Sequence, residues 1–186
     1  MNEIEIANLA LVLIGGEQIT SLTDGSTEAQ LMNSFFYPSL ETLLQEHPWN
    51  FALKRAALAL SVDTPVYDYA YAYVIPSDCL RIIDFDGSEN GYEYKVEQGL
   101  VLTNCESCKI TYIENIRDMN KLSPMFRQAL IAYLGAELAP YLTNTAAYAQ
   151  GALQQFVSYM RKAKVANARE SHLNQDTDGS WLTVRK

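Results

Sequence analysis

The chain reads as an α+β protein: an antiparallel bundle of N- and C-terminal helices with an inserted antiparallel β-meander lobe. Three observations predict this. Apolar residues recur at helical spacing near both ends of the 186 residues. Between about 53 and 115 the period shortens to two, with turn residues separating short runs. No repeat, low-complexity run or linker divides the chain, so 1–170 reads as one domain followed by a flexible tail, 171–186.

The first helix is expected over about 3–14, where Ile4, Ala7, Leu11 and Ile14 share a face, Asn2 can cap the start and Gly15-Gly16 stops it. Asp24-Gly25 supplies turn chemistry. A second helix over about 26–46 buries Leu31, Phe35, Leu40, Leu43 and Leu44, with a kink or break expected near Pro38. Pro48 ends it and pushes His47 toward extended geometry.

Residues 50–62 suit helix by composition, yet Leu58, Leu60 and Val62 alternate; the second half is read as strand. Tyr67, Tyr69, Tyr71 and Tyr73 fall on one side of a period-two run, which predicts a strand over 66–75. Strands are expected at Cys79–Phe85, Tyr92–Glu97, Leu100–Thr103 and Lys109–Glu114, with a hairpin signal at Asn90-Gly91 and a turn at Gln98-Gly99. Ser123-Pro124 is an N-cap followed by proline at the first helical position, so a helix is expected over 124–138, with Pro140 beyond it. A last helix over about 145–168 is carried by Leu153, Phe156, Val157, Met160 and several alanines.

Charge is segregated. The total is −8, yet residues 161–186 carry +3, leaving −11 on the remainder. Residues 63–115 hold ten acids and three bases. This balance disfavours tight wrapping of nucleic acid, which needs cations on phosphates. It makes the basic end, with Arg161, Lys162, Lys164, Arg169, Trp181, Arg185 and Lys186, a candidate docking element for an acidic partner. The start, Met1-Asn2-Glu3-Ile4-Glu5, is acidic where a secretory signal needs a basic start and an apolar run, so cytosolic synthesis is expected. No apolar run approaches the roughly 18 residues of a membrane span.

Chemistry-bearing motifs are few. Cys105-Glu106-Ser107-Cys108, with Cys79, can be half of a zinc site or a redox pair, or simply loop cysteines; three Cys make no disulfide framework. His47 has no nucleophile motif beside it and reads as a helix-end residue. Asp84, Asp86, Glu89, Glu93 and Glu97 lack the spacing of a calcium loop and read as solvated acids. The tyrosine run can stack bases or pack a sheet or interface; it carries no cation, which favours the latter. No catalytic residue, cofactor or metal is expected.

Two segments carry a family resemblance. Trp49-Asn50-Phe51 follows the second predicted helix, and Ile75-Pro76-Ser77-Asp78-Cys79-Leu80-Arg81 enters the sheet. With the loop Ile19–Ser26 before the second helix, these resemble the tail tubular protein A family, the head-to-tail adaptors of short-tailed bacteriophages, in order and spacing over about 2–165. The motif residues are Trp49, Phe51, Pro76, Asp78, Leu80 and Arg81, and their roles in the resemblance are structural. The resemblance implies a non-enzymatic virion protein, made in the host bacterial cytoplasm. It implies a ring, dodecameric in the family, beneath the portal protein. That ring extends a channel through which DNA passes without specific binding, and offers a platform to the tail nozzle protein. Membranes play no part. The competing expectations are a small zinc or redox module built on Cys79, Cys105 and Cys108, and a bacterial ligand-binding protein of similar architecture.

Overall fold

The computed structural model describes residues 1–143 and 145–172, without the side chains of Glu89, Ser171 and His172. The protein is α+β, with four helices and two antiparallel sheets among the described residues. It divides into two compact units. One comprises Met1–Leu40 and the chain from Asp118 onward; the other is Glu41–Arg117.

In the helical unit, α1 (Glu3–Leu13) opens with a reciprocal cap. The Glu5 N–H donates to Asn2 Oδ1 and the Asn2 N–H to Glu5 Oε2, each at 2.8 Å. The helix closes where Gly15 takes φ 77°, and the N–H groups of Gly15 and Gly16 donate back to the carbonyls of Val12 and Leu11. The buried face is Ile6, Ala7, Ala10 and Leu11; Ile4, expected on it, is only half-buried. α2 (Thr27–Glu46) begins in this unit and ends in the other, and it runs through Pro38 unbroken. Its buried side chains include Met32, Phe36, Leu40, Leu43 and Leu44; Leu31 and Phe35 are half-buried, so the sequence stripe lies about one position off the true one at its start.

α3 (Pro124–Leu142) is capped by Ser123 and has nine buried residues, among them Phe126, Leu130 and Leu134. It extends past Pro140, contrary to the expected end at 138. Pro140 supplies no N–H to the helical ladder, yet the helix continues through it, and the Tyr141 ring meets that of Phe35 at 5.5 Å. Gly135 sets the approach of α1: a Cβ there would lie 3.1 Å from Leu13 Cδ2 and 3.4 Å from the Ala10 carbonyl oxygen. α4 (Ala146–His172) packs on α3 through Ala152, Met160 and Ala163, with the Tyr133 and Phe156 rings 5.0 Å apart.

The sheet unit opens with Trp49 and a 3₁₀ turn, Asn50–Ala52. Seven strands follow: β1 (Leu53–Ala57), β2 (Ala59–Leu60), β3 (Tyr71–Val74), β4 (Cys79–Phe85), β5 (Tyr94–Glu97), β6 (Leu100–Thr103) and β7 (Lys109–Glu114). They do not form one consecutive meander. One sheet has the order β1-β7-β4, the other β2-β3-β6-β5. Leu58 carries the chain from the first sheet to the second, its N–H donating to the Cys108 carbonyl at 2.8 Å. Tyr73 and Val101 of one sheet share a core with Phe85, Ile110 and Tyr112 of the other.

Three turn expectations resolve differently. Gln98 and Gly99 take φ 49° and 79° between the paired residues Glu97 and Leu100, a type I′ hairpin joining β5 to β6. Asn90-Gly91 makes no hairpin: a 3₁₀ turn, Asp86–Asn90, ends at left-handed Gly91, and the strands it links lie in different sheets. The tyrosine run is a strand only from Tyr71. Asp68 takes φ 66°, with the Tyr69 N–H donating to the Tyr67 carbonyl, and this γ-turn breaks the alternation. Leu60 and Val62 face water, at 60% and 100% exposure, so their alternation marks no buried face.

The expected tail lies, from residue 173 onward, outside the described residues, as do Trp181, Arg185 and Lys186.

Candidate interaction surfaces

Trp49 is fully buried in the sheet unit, its indole N–H donating to the Leu43 carbonyl at 3.0 Å. Its ring meets His47 edge-on at 4.8 Å and stacks on Phe51 at 5.8 Å. His47 thus packs at a helix end, as the sequence indicated. Pro76 accepts the Cys79 N–H in the turn before β4.

Asp78 reaches across the sheet. Its Oδ2 pairs with Lys54 Nζ of β1 at 2.6 Å, and its Oδ1 accepts the Tyr112 hydroxyl of β7 at 3.0 Å. Its carbonyl accepts the Asn115 N–H at 2.7 Å. One residue therefore ties together the three strands of one sheet, at the end where β4 begins. Lys54 also reaches Glu114 at 3.2 Å. The Lys54 side chain holds the Asp78 carboxyl below its ordinary range; Asp78 and then Glu114 hold the Lys54 ammonium above its own. Leu80 is half-buried within a register irregularity between Cys79 and Arg81, and Arg81 is exposed. In the ladder Arg81 is the partner of Ile113.

Sequence reasoning missed a second clamp. Glu41 Oε1 accepts Asn115 Nδ2 at 2.8 Å and meets an Arg117 guanidinium nitrogen at 2.5 Å. Glu41 and Arg117 are the first and last residues of the sheet unit, so this ion pair joins its two chain ends. A pairing across 76 positions leaves no local trace in a sequence.

The three cysteines are free. Cys108 is buried and Cys79 and Cys105 are half-buried, all three against the sheet core. Burial, helped by Cys105, pushes the Cys108 thiol up to about 11, and burial also raises Cys79. Neutral thiols in an apolar core are poor nucleophiles and poor metal ligands. Among the described residues no group of three His, Cys, Asp or Glu side chains is placed to hold a metal. A groove of about 390 Å³ along β1, β4 and β7 is lined by Arg55, Asp84, Asp86 and Lys109, and Lys109 already pairs with Asp86 at 3.3 Å.

Of the basic residues, Arg161, Lys162, Lys164 and Arg169 lie on the C-terminal half of α4. Arg161, Lys162 and Arg169 border a groove of about 400 Å³ that Met125, Val165 and Ala166 complete. Lys164 is half-buried and does not line it. Lys162 Nζ lies 5.4 Å from the Tyr159 ring centre. Leu153 and Val157, expected to carry the buried stripe of this helix, are 51% and 61% exposed. Met160 and the alanines Ala152 and Ala163, also part of the expected stripe, are buried.

No protein-family model matches the chain. A search of curated proteins likewise returns no match. The surfaces that remain are an apolar and basic face on α4 and an acidic sheet unit in which Asp78 holds three strands together.

Proposed function

We propose that the protein is a non-enzymatic head-to-tail adaptor of a short-tailed phage or prophage. In this role it forms a ring below the portal protein, extends the DNA channel and seats the tail nozzle. The helices act as an antiparallel bundle and the sheets as an inserted lobe, the finer arrangement that the sequence pattern predicts. The observation that carries the proposal is the exposed side of α4: Leu153, Val157 and Val165 lie in water beside Arg161 and Arg169. A long helix with an uncovered apolar stripe fits a protein whose work is contact with other subunits.

Two further features support the proposal. The motif residues Trp49 and Asp78 are engaged in packing and strand anchoring, the structural part the resemblance assigns them. The acidic sheet region repels phosphates, as a conduit surface must if DNA is to slide past it. Among the described residues no helix is long and apolar enough to cross a membrane.

The test is electron microscopy and mass measurement of the purified full chain, alone and mixed with a portal protein of a short-tailed phage. Rings with a central hole, on their own or capping the portal, are expected. A monomer that ignores the portal overturns the proposal.

A further inference from the structure

The link 61–70 between β2 and β3 places apolar side chains where a soluble monomer gains nothing from them. Val62 is 100% exposed, Val66 95% and Tyr67 77%. The link is nonetheless shaped. Ser61 Oγ accepts the Asp63 N–H at 3.2 Å, and the γ-turn at Asp68 fixes its far side. Asn104 clips that side twice, its Oδ1 accepting the Ala70 N–H at 2.8 Å and its Nδ2 donating to the Asp68 carbonyl at 3.4 Å. A loop already held in form loses less entropy when it docks. Two acids, Asp63 and Asp68, flank its valines, and among the described residues neither makes an ion pair.

The α4 groove is the chemical complement. Met125, Val165 and Ala166 supply an apolar floor, and Arg161, Lys162 and Arg169 a cationic rim. Among the described residues Arg161 and Arg169 make no ion pair. We propose that the 61–68 loop of one copy seats in the α4 groove of a second copy, valines on the floor and carboxylates on the rim. The two surfaces differ, so the contact is heterologous: each copy offers a loop to one neighbour and a groove to another, and a rotation that closes makes a ring. The inference rests on the adaptor reading, for which it supplies the contact between subunits.

The test uses the full chain with Val66→Cys and Val165→Cys together, oxidised mildly and run without reductant. A ladder beyond the dimer, collapsing on reduction, is expected, while either single variant goes no further than a dimer. Charge reversal is the second arm. Arg161→Glu with Arg169→Glu weakens association by about tenfold or more in sedimentation velocity, and adding Asp63→Lys with Asp68→Lys restores it. These positions are exposed, and circular dichroism checks that each variant folds. No ladder, or reversal without effect, overturns the contact. So does a disulfide within one chain between Trp181→Cys and Val165→Cys, which would give the groove to the chain's own C-terminal segment. If rings still form on the portal without the ladder, the contact fails and the adaptor reading stands. If the ladder forms and the portal is never bound, the contact stands and the adaptor reading fails.

Discussion

Asp78 shows what a single motif position does. As a sequence letter it is one acid among ten between 63 and 115. In the fold it holds Lys54 and Tyr112 from two other strands, at 2.6 and 3.0 Å. Exposed ion pairs contribute little, but this one joins three strands and a hydroxyl. The sign of its pH dependence follows from the lowered Asp78 value. The folded chain holds that proton less tightly than the unfolded chain, so the stabilisation is complete above the ordinary value of 3.8 and lost as pH falls through the lowered one. Lys54, raised above 10.5, keeps its share below that pH and loses it as pH rises further. Asp78→Asn is therefore expected to lower the Tm near neutral pH, and the variant and parent curves converge as pH drops below 3.8. Thermal unfolding monitored by circular dichroism from acid to neutral pH checks this; parallel curves would remove Asp78 as the cause. The sequence singled Asp78 out but not its partners, since Lys54 is 24 residues away and Tyr112 34.

At the scale of elements, end signals were the most legible. Asn2, Gly15-Gly16 and Ser123-Pro124 each mark the helix end where the structure has one, because caps act within a turn of themselves. The Gln98-Gly99 hairpin was legible for the same reason. These local devices yield a paired test. Gly15→Ala forces a side chain into the left-handed region at φ 77° and should cost about 1–2 kcal/mol, with no clash to blame, since the nearest atom to the new Cβ is 3.8 Å away. Gly25→Ala, where φ is not positive and nothing lies within 4 Å, should be neutral or slightly stabilising. Denaturant titration of both variants checks the contrast, and equal losses would refute it. Which apolar residues face inward was less legible. Leu153 and Val157 have the right period for a core face of α4, yet they are exposed while Met160 and alanines of the same stripe are buried. Period shows that a helix has an apolar face, not that the chain itself covers it. The tyrosine run failed in the same way: alternation says nothing of a γ-turn at Asp68 that stops the strand.

For the molecule as a whole, charge is the organising quantity. A net −8 coexists with a basic end on α4, and the proposed contact between copies brings that end to two loop acids. Rim charges are screened by salt over about 8–10 Å at physiological strength, while apolar contact is not. Self-association is thus expected to weaken, without vanishing, as sodium chloride is raised, and sedimentation velocity across a salt series measures it. Association that strengthens with salt would point to the valines alone and remove the cationic rim from the contact. By itself, the sequence determined the α+β class, the end signals at Asn2, Gly15-Gly16 and Ser123-Pro124, the turn at Gln98-Gly99 and the separation of charge, because each depends on neighbours in the chain or on composition. Only the tertiary structure decided that seven strands split into two sheets, that Glu41 closes onto Arg117, and that Val62 and Val66 stand in water. Those outcomes depend on pairings between distant residues and on what each surface finds to cover it, and neither is written in any local stretch of the chain.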